Sequence, residues 1–173
     1  MADDHPIGNV MGQLAAHWPD AATPQMQLTM LLHRLQELMI ENAQVVLGRY
    51  ELSLSDYEVL SILRCEPAPH ETTPGDLTDK MMMSSGGMTK LLKSMTDRGL
   101  IERMPSQTDR RVRPLRLTQR GRELVERALV DLRRDHQNIF DDLPEGMTKQ
   151  MLADTLSHLT IAAELRRTAR DNN

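Results

Sequence analysis

A dense group of arginines between Ser106 and Gly121 is the feature of the sequence best suited to binding another molecule. The stretch SQTDRRVRPLRLTQRG contains a single acid and five arginines: Asp109, then Arg110, Arg111, Arg113, Arg116 and Arg120. A guanidinium presents five N–H donors in a planar fork that matches phosphate oxygens. Arginine runs are also common on solvated faces, so the stretch alone leaves a phosphate-rich partner and a plain surface as alternatives.

Charge is distributed unevenly along the 173 residues, whose formal net charge is −4. Residues 90–122 hold ten Lys/Arg against three Asp/Glu, a net of +7, whereas the rest of the chain holds 11 basic and 22 acidic residues, a net of −11. A basic segment in an acidic protein attracts a polyanion locally while the remainder opposes non-specific contact. This pattern favours nucleic acid as the partner.

The residue patterns of enzymes and metal proteins are missing from the sequence. The six histidines have no HExxH or related ligand spacing, and neither a phosphate-cradling loop nor a nucleophile–base pairing is recognisable. A single cysteine, Cys65, excludes an intrachain disulfide and suits a reducing cytoplasm. With no signal peptide and no apolar run of membrane-spanning length, we expect a cytoplasmic non-enzyme without cofactor, metal site or membrane contact.

Composition and periodicity predict a mainly α fold, because aromatic residues make up only 2% and the apolar residues are largely Leu, Met and Ala. Residues 1–24, broken by Pro and Gly, predict a loose arm in which VMGQLAAHW can form a short helix. A long helix is predicted over 25–47 and ends at Gly48. The next helix is predicted to start at Ser55, with Glu58 as its capping-box partner. Two further helices follow Thr118, separated by DDLPEG.

The middle of the chain predicts a helix-turn-helix. Thr73 and Pro74 are typical of a helix start, here of a helix only about two turns long. After a short connection, Ser84 or Ser85 caps a fourth helix, which Gly99 ends. Two helices joined so closely form the motif whose second helix enters the major groove of DNA.

A hairpin is predicted directly after the fourth helix. LIERM and RPLRL each predict a short strand, and the polar loop PSQTDRRV joins them. Leu115 and Leu117 fall on one face of the second strand and Arg116 on the other. Pro114 predicts that pairing there is short or bulged. The hairpin completes a winged helix-turn-helix.

The residues predicted to bind DNA lie on the second helix of this motif and on the wing. The first residues of that helix reach base edges, Lys93 meets phosphate further along, and arginines of the wing suit the narrow minor groove. Asp109 orients a neighbouring guanidinium as an internal brace. The DNA-binding set is Ser84, Ser85, Thr89, Lys90, Lys93, Arg110, Arg111 and Arg113.

The run from LSLSDYEVLSILR to RGREL resembles the MarR family of bacterial transcriptional regulators over about 70 residues. The most specific parts are SSGGMTKLLKSMTDRGLIER and a wing pattern formed here by Asp109, Arg111, Leu117, Thr118 and Gly121. Lys90 stands where many relatives carry arginine. The resemblance implies a homodimer that places one winged helix on each half of a pseudo-palindromic operator, with Arg111 in the minor groove and Asp109 as its brace.

The domain organisation expected from pattern and resemblance has four parts. They are an N-terminal arm (1–24), a dimerisation helix (25–50), a winged helix-turn-helix lobe (51–120) and C-terminal dimerisation helices (121–173). The expected function is that of a ligand-responsive regulator, a repressor released from its operator by a small aromatic or anionic effector.

The effector site is predicted partly from a resemblance to the urate-responsive branch of the family. That branch uses an N-terminal tryptophan, an acid on the second helix and an arginine on the recognition helix. Trp18 matches the first, Asp56 or Glu58 supplies the second, and the arginine is absent. The other candidates are His33, Met82 and Met88, with packing of the arm by Trp18 and core filling by the methionines as alternatives.

Two other functions stay open on the sequence. One is a winged-helix adaptor that binds proteins, which the acidic remainder of the chain permits. The other is a redox-responsive regulator acting through Cys65, which follows Arg64 at a helix end. Salt dependence separates DNA binding from the adaptor, because neutralising phosphates releases counterions.

Overall fold

The computed structural model describes residues 6–105 and 113–171 of the chain. These residues divide between two compact units, Met1–Leu132 and Arg133–Asn173. The helices are α1 (Pro6–His17), α2 (Pro24–Gly48), α3 (Leu54–Cys65), α4 (Pro74–Met81), α5 (Ser85–Asp97), α6 (Gln119–Phe140) and α7 (Lys149–Asp171). The strands β1 (Glu71–Thr72), β2 (Ile101–Arg103) and β3 (Leu115–Leu117) form one antiparallel sheet in the order β1-β3-β2. The predicted mainly α fold with a winged helix-turn-helix is confirmed.

The N-terminal segment is more helical than its prolines and glycines predicted. Helix α1 occupies Pro6–His17, and a short 3₁₀ turn follows at Pro19–Ala21. A proline in the first turn costs no hydrogen bond, because the N–H it lacks has no partner there. Each interior glycine, Gly8 and Gly12, costs only about 1 kcal/mol relative to alanine. The short helix expected within VMGQLAAHW is therefore present, and it starts four residues earlier, at Pro6.

The N-cap of helix α3 is Ser53, two residues before the predicted cap, Ser55. The Ser53 hydroxyl accepts the Asp56 N–H at 3.1 Å, and the Asp56 carboxylate accepts the Ser53 N–H at 2.9 Å. This capping box replaces the predicted pair of Ser55 and Glu58. Both pairs have the required spacing, so local sequence does not choose between them. Asp56 also binds Arg98, a contact that favours the earlier start.

The core of the first unit holds α3, α4, α5 and the sheet together. Burying a leucine or methionine side chain fully stabilises the fold by about 1.5–3 kcal/mol. The helix-turn-helix is therefore fixed to α3 and to the wing strands by apolar packing. The largest fully buried side chains of this core are Leu47, Val59, Leu60, Leu63, Leu77, Met88, Leu92, Met95, Leu100, Ile101 and Leu115.

The sheet contains one strand that the sequence did not predict. Glu71 and Thr72 of β1 pair with Arg116 and Leu115 of β3, in a segment expected to be loop. Two residues are too few to show a strand periodicity. The predicted hairpin is present, with β2 and β3 of three residues each. Pro114 precedes β3 and accepts the Met104 N–H through its carbonyl at 2.8 Å, which agrees with the short pairing expected there.

No helix within residues 6–105 and 113–171 is long and apolar enough to cross a membrane.

Candidate nucleic-acid interface

Local caps fix both helices of the helix-turn-helix. The Thr73 hydroxyl accepts the Asp76 N–H at 3.1 Å and donates to the Asp76 carboxylate at 2.8 Å, which lowers the pKa of Asp76. Met82 adopts a left-handed conformation (φ 50°) and ends α4. Ser84 then caps α5 by accepting the Gly87 N–H at 3.2 Å. The direction of α5 is thus set within a few residues of the turn.

One side of α5 packs into the core and the other faces solvent. The inward side chains are spaced four and three residues apart, as on one face of a helix, and comprise Met88, Leu92 and Met95. The five helix residues predicted to bind DNA are all exposed: Ser84, Ser85, Thr89, Lys90 and Lys93. The structure therefore gathers them on the start and outer side of a single helix.

The two lysines of α5 differ in their contacts. The Lys93 ammonium lies 2.8 Å from the Asp97 carboxylate, and this hydrogen bond raises the Lys93 pKa. Both side chains of the pair are largely exposed, at 76% and 62%, so the pair adds little stability and a phosphate can replace Asp97. Lys90 forms no hydrogen bond or ion pair with any residue that the structure describes. Its ammonium is available for a base edge or a phosphate.

The predicted wing contacts fall mainly on residues that the structure leaves undescribed. Asp109, Arg110 and Arg111 lie outside the described residues. Arg113 is exposed and precedes β3. In the paired part of the wing, Arg116 on β3 donates to Glu102 on β2 across the sheet at 2.9 Å. That arginine therefore has a partner within the sheet.

Thr118 and Gly121 join the wing to α6. The Thr118 hydroxyl lies 2.7 Å from the Gly99 carbonyl oxygen and accepts the Gly121 N–H at 3.0 Å. A Cβ on Gly121 would lie 2.0 Å from the Leu100 carbonyl oxygen. Only glycine permits this approach, because real Cβ atoms essentially never come closer than 3.0 Å to another heavy atom. Thr118 and Gly121, two residues of the wing pattern that resembles the MarR family, thus form the joint that aligns β3 and α6.

Arg98 anchors the far end of α5 and was not identified from the sequence. Its guanidinium donates to the Asp56 carboxylate at 2.9 Å and to the Glu51 carbonyl. The Asp56 side chain is 7% exposed and that of Arg98 is 33% exposed, so the pair is largely shielded from water. The partners are 42 residues apart in the chain, a separation at which no sequence periodicity signals a contact.

The predicted effector residues differ in their exposure. Met88 is 2% exposed and belongs to the core, which corrects its assignment to a pocket wall. Asp56 is buried and already binds Ser53 and Arg98, so Glu58 is the exposed acid of the two. The remaining candidates, Trp18, His33 and Met82, are exposed.

Cys65 is exposed at the end of α3. Within the described part of the chain, no group of three or more His, Cys, Asp or Glu side chains has the geometry to hold a metal ion.

The model of the MarR family matches residues 52–112, which include α3, α4, α5 and β2. The HTH-type transcriptional regulator PecS of Dickeya dadantii is 25% identical over 156 residues, covering 88% of this chain and 94% of PecS. The multiple antibiotic resistance protein MarR of Escherichia coli is 25% identical over 129 residues, covering 75% of this chain and 83% of MarR.

A solved structure carries the same fold. AbsC, a MarR family transcriptional regulator from Streptomyces coelicolor, superposes with a TM-score of 0.71 at 23% identity, covering 84% of this chain and 97% of AbsC.

Proposed function

We propose that the chain is a transcriptional regulator of the MarR family, whose model matches residues 52–112, and that it binds double-stranded operator DNA through α5 and the wing. The observation that carries this proposal is the outer side of α5. It combines small hydroxyl side chains with Lys90, which has no partner in the described part of the chain, on the second helix of a helix-turn-helix. A helix in that position enters the major groove with its first residues nearest the bases.

The residues of α5 divide by their expected contacts. Ser85, Thr89 and Lys90 are near the N-terminus of the helix and contact base edges, where a lysine hydrogen-bonds guanine acceptors. Lys93 lies one turn further along, and it contacts phosphate once its ion pair with Asp97 is broken. The wing supplies the remaining contacts, with Arg111 in the minor groove, Asp109 as its brace, and Arg110 and Arg113 near the flanking phosphates.

We propose that the DNA-binding species is a homodimer. Two helices support this, because each carries several exposed large apolar side chains, and clustered apolar surface marks sites of association. The exposed large apolar residues include Met26, Leu28, Leu31, Leu32 and Leu35 in the first half of α2, and Met151, Leu156, Leu159, Ile161 and Leu165 on α7. A two-fold dimer covers such faces with copies of themselves and presents two winged helices to half-sites one DNA turn apart, roughly 34 Å.

We further propose that the protein is a repressor that a small aromatic or anionic effector releases from DNA. Trp18, His33 and Glu58 offer an exposed ring, an imidazole and a carboxylate for such a molecule. A ligand shifts the dimer toward a half-site spacing that does not match DNA only if it binds that form more tightly. Thermal-shift screening of phenolic, purine and acyl-thioester compounds, with DNA release as the second measurement, identifies the effector class.

The DNA-binding proposal is tested by selecting duplexes from a randomised pool and titrating the best one at several salt concentrations. We expect log Kd to rise linearly with log salt concentration, with a slope set by the number of phosphates neutralised. Arg111→Ala should weaken binding while the oligomeric state stays unchanged. A pool without enrichment, or an affinity independent of salt, contradicts the proposal and favours a protein-binding adaptor.

A further inference from the structure

A cavity of about 150 Å³ opens where the end of α3, the loop before β1, the end of β3 and the start of α6 meet. Three arginines line it, Arg64, Arg116 and Arg122, together with the apolar side chains of Pro69 and Leu117. Among the residues that the structure describes, no Asp or Glu lines the cavity. Sites for drug-sized ligands usually measure about 300–1,000 Å³, so this cavity suits an ion or a very small molecule. None of the candidate effector residues lines it.

A single carboxylate holds two of the arginines in place. The Nε–H of Arg64 donates to Oε1 of Glu126 at 2.8 Å, and the Nε–H of Arg122 donates to the same oxygen at 3.1 Å. These hydrogen bonds lower the pKa of Glu126. A guanidinium has five N–H groups. Each of these two arginines therefore keeps its terminal Nη donors, which make no hydrogen bond to any residue in the described ranges.

Each of the three arginines already faces an acid, so the donors rather than a net positive field define the site. Glu126 faces Arg64 and Arg122, and Arg116 has Glu102 on one neighbouring strand and Glu71 on the other. Oriented guanidinium forks still bind oxyanions selectively, because each supplies parallel N–H donors to two oxygens. The pairing of each arginine with an acid implies weak binding.

We propose that this cavity binds a small oxyanion, with the forks of Arg64 and Arg122 holding the oxygens and Arg116 as a third donor. Leu117 and Pro69 form the apolar wall against which the remainder of the ion lies. The site joins α3, the wing strand β3 and α6, and it shares no residue with the DNA-binding side of α5. It does not depend on the proposed effector site.

The test is a calorimetric titration of the full chain, without DNA and at constant ionic strength in chloride, first with inorganic phosphate and then with acetate. We expect saturable binding at one site per chain for at least one of the two. Arg64→Gln and Arg122→Gln should each weaken it by about tenfold, because each removes a charged hydrogen-bonding fork. Arg64→Lys should weaken it also, since an ammonium keeps the charge but not the fork.

Arg34→Gln is the matched control, because Arg34 is also an exposed, carboxylate-paired arginine but lies on α2. It should leave the titration unchanged. Circular dichroism and the melting temperature establish that each variant is folded. If either Arg64→Gln or Arg122→Gln fails to fold, the other variant still tests the proposal. The proposal is overturned if neither anion saturates the wild type, or if Arg34→Gln weakens binding equally. It is also overturned if the Arg64 and Arg122 variants lose only DNA affinity while the wild type binds no free anion.

Discussion

At the scale of single residues, the structure separates side chains that the sequence grouped together. Lys90 and Lys93 are both basic, exposed and on α5, yet among the described residues only Lys93 has a carboxylate within hydrogen-bonding distance. Asp56 and Glu58 are both acids of α3, yet one is buried in a capping network and the other is exposed. What a residue of a given type does here is decided by its neighbours.

Lys90→Ala and Lys93→Ala should differ in their effect on DNA recognition. Lys90→Ala should relax the base preference at one position of each half-site, because an amino group near the helix N-terminus reaches base edges. Lys93→Ala should weaken binding about equally across sequences and reduce the salt slope by about one. Competitive binding to a randomised pool measures both. Indistinguishable base preferences for the two variants would mean that both lysines touch only phosphate.

Gly121→Ala should destabilise the fold by on the order of 3 kcal/mol, because the added Cβ would overlap the Leu100 carbonyl oxygen and force backbone shifts. Urea unfolding followed by circular dichroism measures the change. Gly86→Ala is the matched control, since a Cβ there meets nothing within 4 Å. It should stabilise the helix by about 0.5–1 kcal/mol. Equal stabilities for the two variants would rule out the close approach.

At the scale of elements, α5 is held at both ends by different means. Its N-terminus is fixed locally by Ser84, whose hydroxyl accepts the Gly87 N–H. Its C-terminal end is fixed by Arg98, which reaches Asp56 and the Glu51 carbonyl at the start of α3. A helix that must lie at a defined depth in a groove needs both restraints, since either end can tilt without them.

Arg98→Ala should lower the free energy of unfolding by about 1–3 kcal/mol, because it leaves a buried carboxylate oxygen of Asp56 without that donor. Arg34→Ala, which breaks an exposed ion pair on α2, should change it by less than about 1 kcal/mol. A double-mutant cycle with Asp56→Ala isolates the pair. Additive effects of Arg98→Ala and Asp56→Ala would show that the ion pair does not stabilise the protein.

At the scale of the whole molecule, the apolar residues that the core does not use are informative. The core of the first unit buries Leu, Met, Val and Ile from α2 to α6. The first half of α2 and most of α7 leave comparable side chains exposed, among them Leu28 at 60% and Leu165 at 66%. Such surfaces favour association, which agrees with the proposed homodimer.

Leu32→Glu should shift the protein from dimer to monomer, because it places a charge on an apolar face that the proposed partner covers. Sedimentation velocity over a range of concentrations measures the shift. Arg34→Gln, about 200° further round the same helix, should leave the dimer intact. A dimer that is equally stable in wild type and Leu32→Glu would exclude this part of α2 from the interface.

The sequence by itself determined the features that depend on neighbours within about four residues. Thr73 was predicted as a helix cap and is one, Ser84 was one of two predicted caps of α5, and the hairpin was predicted from its alternating strands. Caps and helix faces depend on atoms one turn away, so short spacings carry the information.

Only the tertiary structure decided the contacts between distant segments. It selected Ser53 over Ser55 as the cap of α3, formed β1 against β3, joined Arg98 to Asp56, and brought Gly121 against Leu100. In each case the partners are tens of residues apart, or two local solutions have equal merit until a distant side chain favours one. A pattern of residue types records which groups a chain contains, and the packing of the chain determines which of them meet.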